Sequence, residues 1–288
     1  MTPQRANTGT GQEPNLLRTA TVLTLAATAL AAIAAAGGLF VSGLYRDPSA
    51  VVSAIRGQDL LTLLVLPVLV AAVRLARRGS IRAAILWIGL LGYLTYTYIG
   101  VAFGYYLNRF VLVYIALLSL CAFSLVTVCL GLDGARVEQA FRGRFPQRTA
   151  AAFLVLIAVM LVIPEVAQLV PFLTEGTLPE LITRAGAVNS FVYVLDLGVI
   201  APLCVLAAIG LLRRRPWAIV LSGCMLIKAA TMGLALISMD LFTWQSQGRI
   251  DLAYTAMYSV IAAGGLGLSI ALLASGRKDA KRSKGETR

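Results

Sequence analysis

The sequence predicts an all-α polytopic membrane protein: a bundle of eight transmembrane helices arranged as two parallel four-helix repeats. Composition, span length and loop charge each point there. Of 288 residues 59% are hydrophobic and 13% charged, and mean hydropathy is +0.83. A soluble domain of this length cannot cover its surface with so few polar groups. Eight apolar stretches, at 19–45, 60–76, 83–103, 110–132, 150–173, 190–212, 217–239 and 252–275, come close to the roughly 20 residues that cross a bilayer as a helix. The loops between them are alternately rich and poor in Arg and Lys.

These spans divide the chain into a cytoplasmic tail (1–18), a first membrane unit (19–132), a cytoplasmic loop (133–149), a second membrane unit (150–275) and a basic cytoplasmic tail (276–288). Nineteen Arg and Lys fall on one face, in the tails, the 74–82 turn, the 133–149 loop and the 213–215 turn. The other face has five: Arg46, Arg56, Arg109, Arg184 and Arg249. Basic loops stay in the cytoplasm, so both termini are expected there, and the membrane is expected to be the plasma (inner) membrane. The net charge of +12 thus reads as topology signal and attraction to anionic lipid, not as a nucleic-acid surface. The long polar tail before the first span argues against a signal peptide.

Histidine is absent. That removes His-ligated haem, the HExxH zinc site and any Ser–His or Cys–His nucleophile. Cys121, Cys129, Cys204 and Cys224 lie inside spans without a CxxC pair, as small packing residues do. No catalytic set, metal set or cofactor is implied, and the expected surroundings are the lipid bilayer and a small-molecule solute.

The two halves resemble each other. RFVLVYIALLS at 109–119 and RIDLAYTAMYS at 249–259 share Arg, Leu, Tyr, Ala and Ser in register, and Pro67 aligns with Pro202. Four helices per unit is an even number, so the repeats insert in the same orientation about an axis along the membrane normal. Each proline frees a carbonyl four residues earlier, at Leu63 and Gly198. Either these are tolerated kinks or they point to a site between the repeats.

Three ionisable residues interrupt apolar runs: Glu165 in LVIPEVAQLV, Asp196 in FVYVLDLGVI and Lys228 in CMLIKAATMG. Each costs about 2.5–3.5 kcal/mol at a bilayer centre, so each is expected to face the protein interior. Helical spacing puts Asn189, Tyr193 and Asp196 on one stripe, Glu165 and Gln168 on another, and Lys228 with Cys224 and Thr231 on a third. Pro164 loosens the chain beside Glu165. Tyr93 and Tyr96 share a face of the third span with Thr97 and Gly100. At an offset of 135 Tyr93 is the counterpart of Lys228. The expected site therefore comprises Lys228, Asp196, Glu165, Tyr93, Tyr96, Tyr193, Gln168 and Asn189, with Lys228 within direct or one-water reach of a carboxylate. Tyr98, Tyr105 and Tyr106 read as interfacial belt. Asp59 reads as the N-cap of the second helix. Gly264, Gly265, Gly267 and Ser269 read as a close-packing face.

These features favour a transporter or permease for a small polar or anionic solute, coupled to protons. The alternatives are a non-transporting sensor or assembly subunit whose buried charges are structural, an intramembrane lipid enzyme, for which no motif is present, and a retinal-type photoreceptor, for which only the buried Lys speaks.

Overall fold

A computed structural model describes residues 12–141, 145–179, 182–183 and 190–276. Eight helices among them are long and apolar enough to cross a membrane. They are α1 (Gln12–Phe40), α2 (Ser49–Arg77), α3 (Ile81–Gly104), α4 (Val111–Leu130), α6 (Gln147–Glu175), α7 (Phe191–Leu212), α8 (Pro216–Gln247) and α9 (Leu252–Ser275). A short helix, α5 (Gly134–Phe141), lies inside the segment expected to be a loop. Large apolar side chains cover the outside of the bundle, among them Leu112, Phe123, Val126, Ile163 and Ile270. Such an apolar girth is stable only against hydrocarbon, so the chain is an integral membrane protein.

Turn chemistry explains where the helices stop. Gly79 takes φ +95° to turn from α2 into α3, and Ser80 caps α3 by accepting from the Ala83 N–H. Gly176 and Gly248 adopt left-handed φ at the ends of α6 and α8, and their N–H groups bond to the carbonyls of Phe172 and Trp244. Asp251 caps α9 through the N–H groups of Ala253 and Tyr254. One end of the bundle collects Arg74, Arg77, Arg78, Arg82, Arg136, Arg148 and Arg213–Arg215; it is called the basic end below.

The helices α1 to α4 form a closed group in which each packs on its neighbours and α1 returns to α4. The Ala-rich face of α1 permits this closeness: Ala20, Ala27 and Ala31 are fully buried. A polar knot ties the group together, with Thr24 bonded to Ser124 and the Trp87 indole donating to Thr24. In the second half α6 packs on α7, α7 on α8 and α8 on α9, while α6 and α9 barely meet. The halves join through α8, which packs along both α2 and α3. Accordingly α8 and α3 are the most enclosed helices, with 72% and 67% of their apolar windows buried against 28% for α4, α6 and α9.

Glycines set the closest approaches. A Cβ at Gly57 on α2 would come within 2.5 Å of the Ser238 carbonyl oxygen on α8, and the Ser238 hydroxyl donates to the Gly57 carbonyl. Gly233 meets the backbone of Ala262, and Gly265 that of Ala230. Of the face expected on α9, Gly265 and Gly264 pack against α8 and Phe153, whereas Gly267 faces open space.

Two expectations need correction. The second helix begins at Ser49, not residue 60, so Asp59 lies well inside it and caps nothing. Its carboxylate accepts from the Tyr45 hydroxyl at 2.7 Å. Tyr98, expected at the interface, is buried in the core, and Tyr105 packs against that core; Tyr106 is exposed as expected of an interfacial ring.

Candidate functional site

Polar side chains from α3, α6, α7 and α8 converge in the middle of the bundle. The helices α6 and α7 run antiparallel, so residues one turn apart on each meet in two layers. In the first layer the Tyr193 hydroxyl donates to Gln168 Oε1 at 3.2 Å, and Gln168 Nε2 donates to the Tyr254 hydroxyl on α9 at 3.2 Å. In the second, the carboxyl of Glu165 lies against that of Asp196. Asp196 Oδ1 accepts from the Tyr96 hydroxyl at 2.8 Å. Lys228 Nζ sits over the Tyr96 ring, 3.8 Å from its centroid.

Local backbone explains how Asp196 is aimed. Residues Asp196–Ile200 form a π-turn, closed by the Ala201 N–H on the Asp196 carbonyl. Pro202 follows at once. It has no N–H to give the Gly198 carbonyl, and its ring crowds that carbonyl; the wider π-turn relieves the crowding. Such one-turn bulges re-aim side chains and occur often at functional sites. Pro67, by contrast, sits in α2 with the helix unbroken around it. On α6, Pro164 immediately precedes Glu165, and Pro171 interrupts the ladder again two turns later.

Glu165, Asp196 and Lys228 are at least nine-tenths buried. Glu165 Oε2 has no hydrogen-bond partner. The ammonium of Lys228 meets the face of the Tyr96 ring, and Asp196 and Glu165 act on it electrostatically. Tyr96 touches both Lys228 and Asp196. A desolvated ammonium on an aromatic face gains up to about 2 kcal/mol.

The structure gathers Lys228, Asp196, Glu165 and Tyr96 in one layer and Tyr193 and Gln168 in the next. It does not bring Tyr93 to them. Tyr93 points toward α2, where its hydroxyl meets that of Thr62 at 3.2 Å. Gln58 there donates to Thr97 at 3.2 Å. Asn189 lies outside the described residues. Another acid inside a long helix, the partly buried Asp59 bonded to Tyr45, was read from sequence only as a cap; a Pro48 start for α2 would have pulled it into the helix, since proline favours the first turn.

A cavity of about 520 Å³ runs between α4 and α7, from Leu132 and Trp217 near the basic end past Lys228 to Ile99 and Leu195. The helices α3 and α8 form its floor, α4 and α7 flank it, and Gly134 and Val137 of α5 line its basic end with Leu132, Pro216 and Trp217. Tyr96, Thr95 and Lys228 line it, whereas Asp196 and Glu165 do not. Cys129 also lines it and is exposed, unlike Cys121, Cys204 and Cys224. Among the described residues no group of three His, Cys, Asp or Glu is placed to hold a metal. No protein-family model, no curated protein and no solved structure matches this chain.

Proposed function

We propose that the protein is a transporter or permease for a small anionic or polar solute, coupled to a proton, with its site at Lys228. The observation that carries this reading is a buried ammonium lining a cavity and joined through one tyrosine to Asp196, which lies against Glu165. Two carboxyls in contact away from water do not both ionise. One proton between Glu165 and Asp196 leaves one negative charge to balance Lys228. A substrate anion arriving at Lys228 upsets that balance, and a second proton on the pair restores it. Anion and proton then move together, one for one. Gln168, Tyr193 and Tyr254 form the next layer outward, away from the cavity, and offer the proton hydroxyl and amide stepping stones.

The basic end is placed in the cytoplasm on the charge asymmetry, with the plasma (inner) membrane as the expected location. Tracts 19–132 and 150–275 are read as parallel repeats. The chain of neighbours α1–α2–α3–α4 has a parallel in α6–α7–α8–α9, and α3 and α8 are the most enclosed helices, but the closing contact of α1 on α4 has no match between α6 and α9. The match fails where α2 packs on α8 far more closely than α7 packs on α3. The cavity occupies that looser side.

The test is uptake of a panel of radiolabelled organic anions into proteoliposomes, with and without an inward proton gradient. Lys228→Met should abolish uptake. Removing one member of a buried charge set typically costs 3–5 kcal/mol, and removing both is milder. Lys228→Met and Asp196→Asn should therefore each lower the melting temperature in detergent, and the double variant should recover part of the loss. Wild-type uptake of none of the anions, or uptake undiminished in the double variant, shows the charges to be structural and ends the transport reading.

A further inference from the structure

The walls of the cavity limit what its ligand is. Between the basic end and Lys228 they are hydrocarbon: Leu125, Leu203, Val220 and Leu221, with Trp217 at that end, and Ile99 and Leu195 continue the lining beyond Lys228. A small polar solute there would lose its water and find no partners along most of its path. The volume, about 520 Å³, falls in the range of roughly 300–1,000 Å³ that small-molecule sites occupy, most of which are apolar with a few placed polar groups.

The polar groups sit together at Lys228 and are donors. Lys228 is about 18 Å along α8 from its start at Pro216, at 1.5 Å per residue. Beside Tyr96, Thr95 Oγ1 is buried and has no hydrogen-bond partner. Other helical threonines in this chain return their hydroxyl to a carbonyl one turn back, as Thr21, Thr28 and Thr243 do. Thr95 does not; it lines the cavity instead. Asp196 and Glu165 do not line the cavity. A ligand head reaching Lys228 meets an ammonium and a hydroxyl, which suits an acceptor carrying negative charge.

We propose that the cavity takes a single-tailed amphiphile with one anionic head, a carboxylate or a phosphate. The head lies at Lys228 and Thr95, and the tail runs back along α3, α7 and α8 toward Trp217. The proposal rests on the transport reading for its purpose, but the binding site stands on its own geometry. The small solute of that reading becomes an organic acid whose hydrocarbon part the walls select.

Photolabelling tests this. A diazirine-tagged dodecanoic acid is added at low ratio to the full chain in phosphatidylcholine nanodiscs, and the labelled residues are mapped by peptide mass spectrometry. Label is expected on the cavity segments around Leu125, Leu203 and Val220. Laurate and dodecyl phosphate should compete it away, and whichever does so at lower concentration names the head. Dodecanol, dodecyltrimethylammonium and acetate should not. Thr95→Val has no native hydrogen bond to lose, so it should fold normally. It should cut cavity labelling about tenfold, the loss expected of one hydrogen bond to a charged group. Lys228→Met should cut it at least as far. Label spread evenly over lipid-facing residues such as Leu112 and Phe123 overturns the proposal. So does equal competition by dodecanol or by acetate. Cavity label without Lys228-dependent uptake keeps the site and removes transport; Lys228-dependent uptake of short organic anions without cavity label does the reverse.

Discussion

Tyr96 joins two chemistries in one side chain: its ring holds the Lys228 ammonium and its hydroxyl donates to Asp196. The two are separable by substitution. Tyr96→Phe keeps the ring and removes a hydrogen bond to a charged group, at about 1.5–3 kcal/mol. Tyr96→Leu also removes the aromatic face, adding up to about 2 kcal/mol. Melting temperatures in detergent should fall in the order wild type, Phe, Leu, and equal values for Phe and Leu would show that Lys228 gains nothing from the ring. In uptake assays Tyr96→Phe should break the dependence on the proton gradient while leaving anion binding in place. Outside the membrane-spanning helices, burial and the neighbouring Asp59 push the Tyr45 phenol well above its ordinary range. It therefore stays a donor to Asp59 across all pH values at which the protein would be assayed.

Single charges in apolar runs are legible without a structure, because an ionisable group in hydrocarbon has few tolerable places to be. That logic singled out Glu165, Asp196 and Lys228, which meet around Tyr96. The shared face expected of Tyr93 and Tyr96 divides, because three residues on a helix leave two side chains about 60° apart, enough for them to face different neighbours. Tyr93 turned to α2 and Tyr96 to α7 and α8. The same logic failed on Asp59 because a polar stretch, RDPSAVVSAIRGQD, reads as loop. In the fold that stretch is helix from Ser49, with Gln58 satisfied by Thr97 and Asp59 by Tyr45. At this scale two comparisons are informative. Pro202→Ala supplies the missing N–H and removes the cause of the π-turn, so it should lower uptake far more than Pro67→Ala, made in an unbroken helix. Equal effects would show that the turn does not position Asp196. Gly57→Ala pushes α2 off α8 and should cost about 1–3 kcal/mol, as overpacking does, whereas Gly267→Ala faces open space and should leave the melting temperature unchanged.

Across the whole molecule, eight long apolar helices agree with the spans expected from hydropathy, although α8 runs on to Gln247 and α2 starts eleven residues early. Such extensions are invisible to a hydropathy window, since polar turns at the ends of long helices lower the average. The proposed orientation, with the basic end in the cytoplasm, rests on the asymmetry of Arg and Lys. Gln139 on α5 and Gln247 at the end of α8 are both exposed and lie at opposite ends. In a background with the four cysteines replaced, Gln247→Cys should react with an impermeant maleimide on intact cells and Gln139→Cys only after lysis. The reverse pattern would invert the topology, and equal reaction at both would deny that α8 and the segment around α5 lie on opposite sides.

The π-turn in α7 also changes how the two halves should be aligned. A π-turn holds one residue more than the α-turn it replaces, so it acts as a one-residue insertion ahead of Pro202. Upstream of it the offset between α2 and α7 drops from 135 to 134. Asp196 then corresponds to Thr62 rather than Leu61, and Tyr193 to Asp59. With Tyr93 still opposite Lys228, the correspondences become physical. Thr62 meets Tyr93 in the first half, and Asp196 faces Lys228 across Tyr96 in the second. Asp59 bonds to Tyr45 just past α1, and Tyr193 bonds to Gln168 on α6. On the proposed duplication, both copies keep the same wiring diagram. A neutral hydroxyl pair occupies the node in one copy, and a carboxyl and an ammonium occupy it in the other. The inserted residue lies beside the charged node.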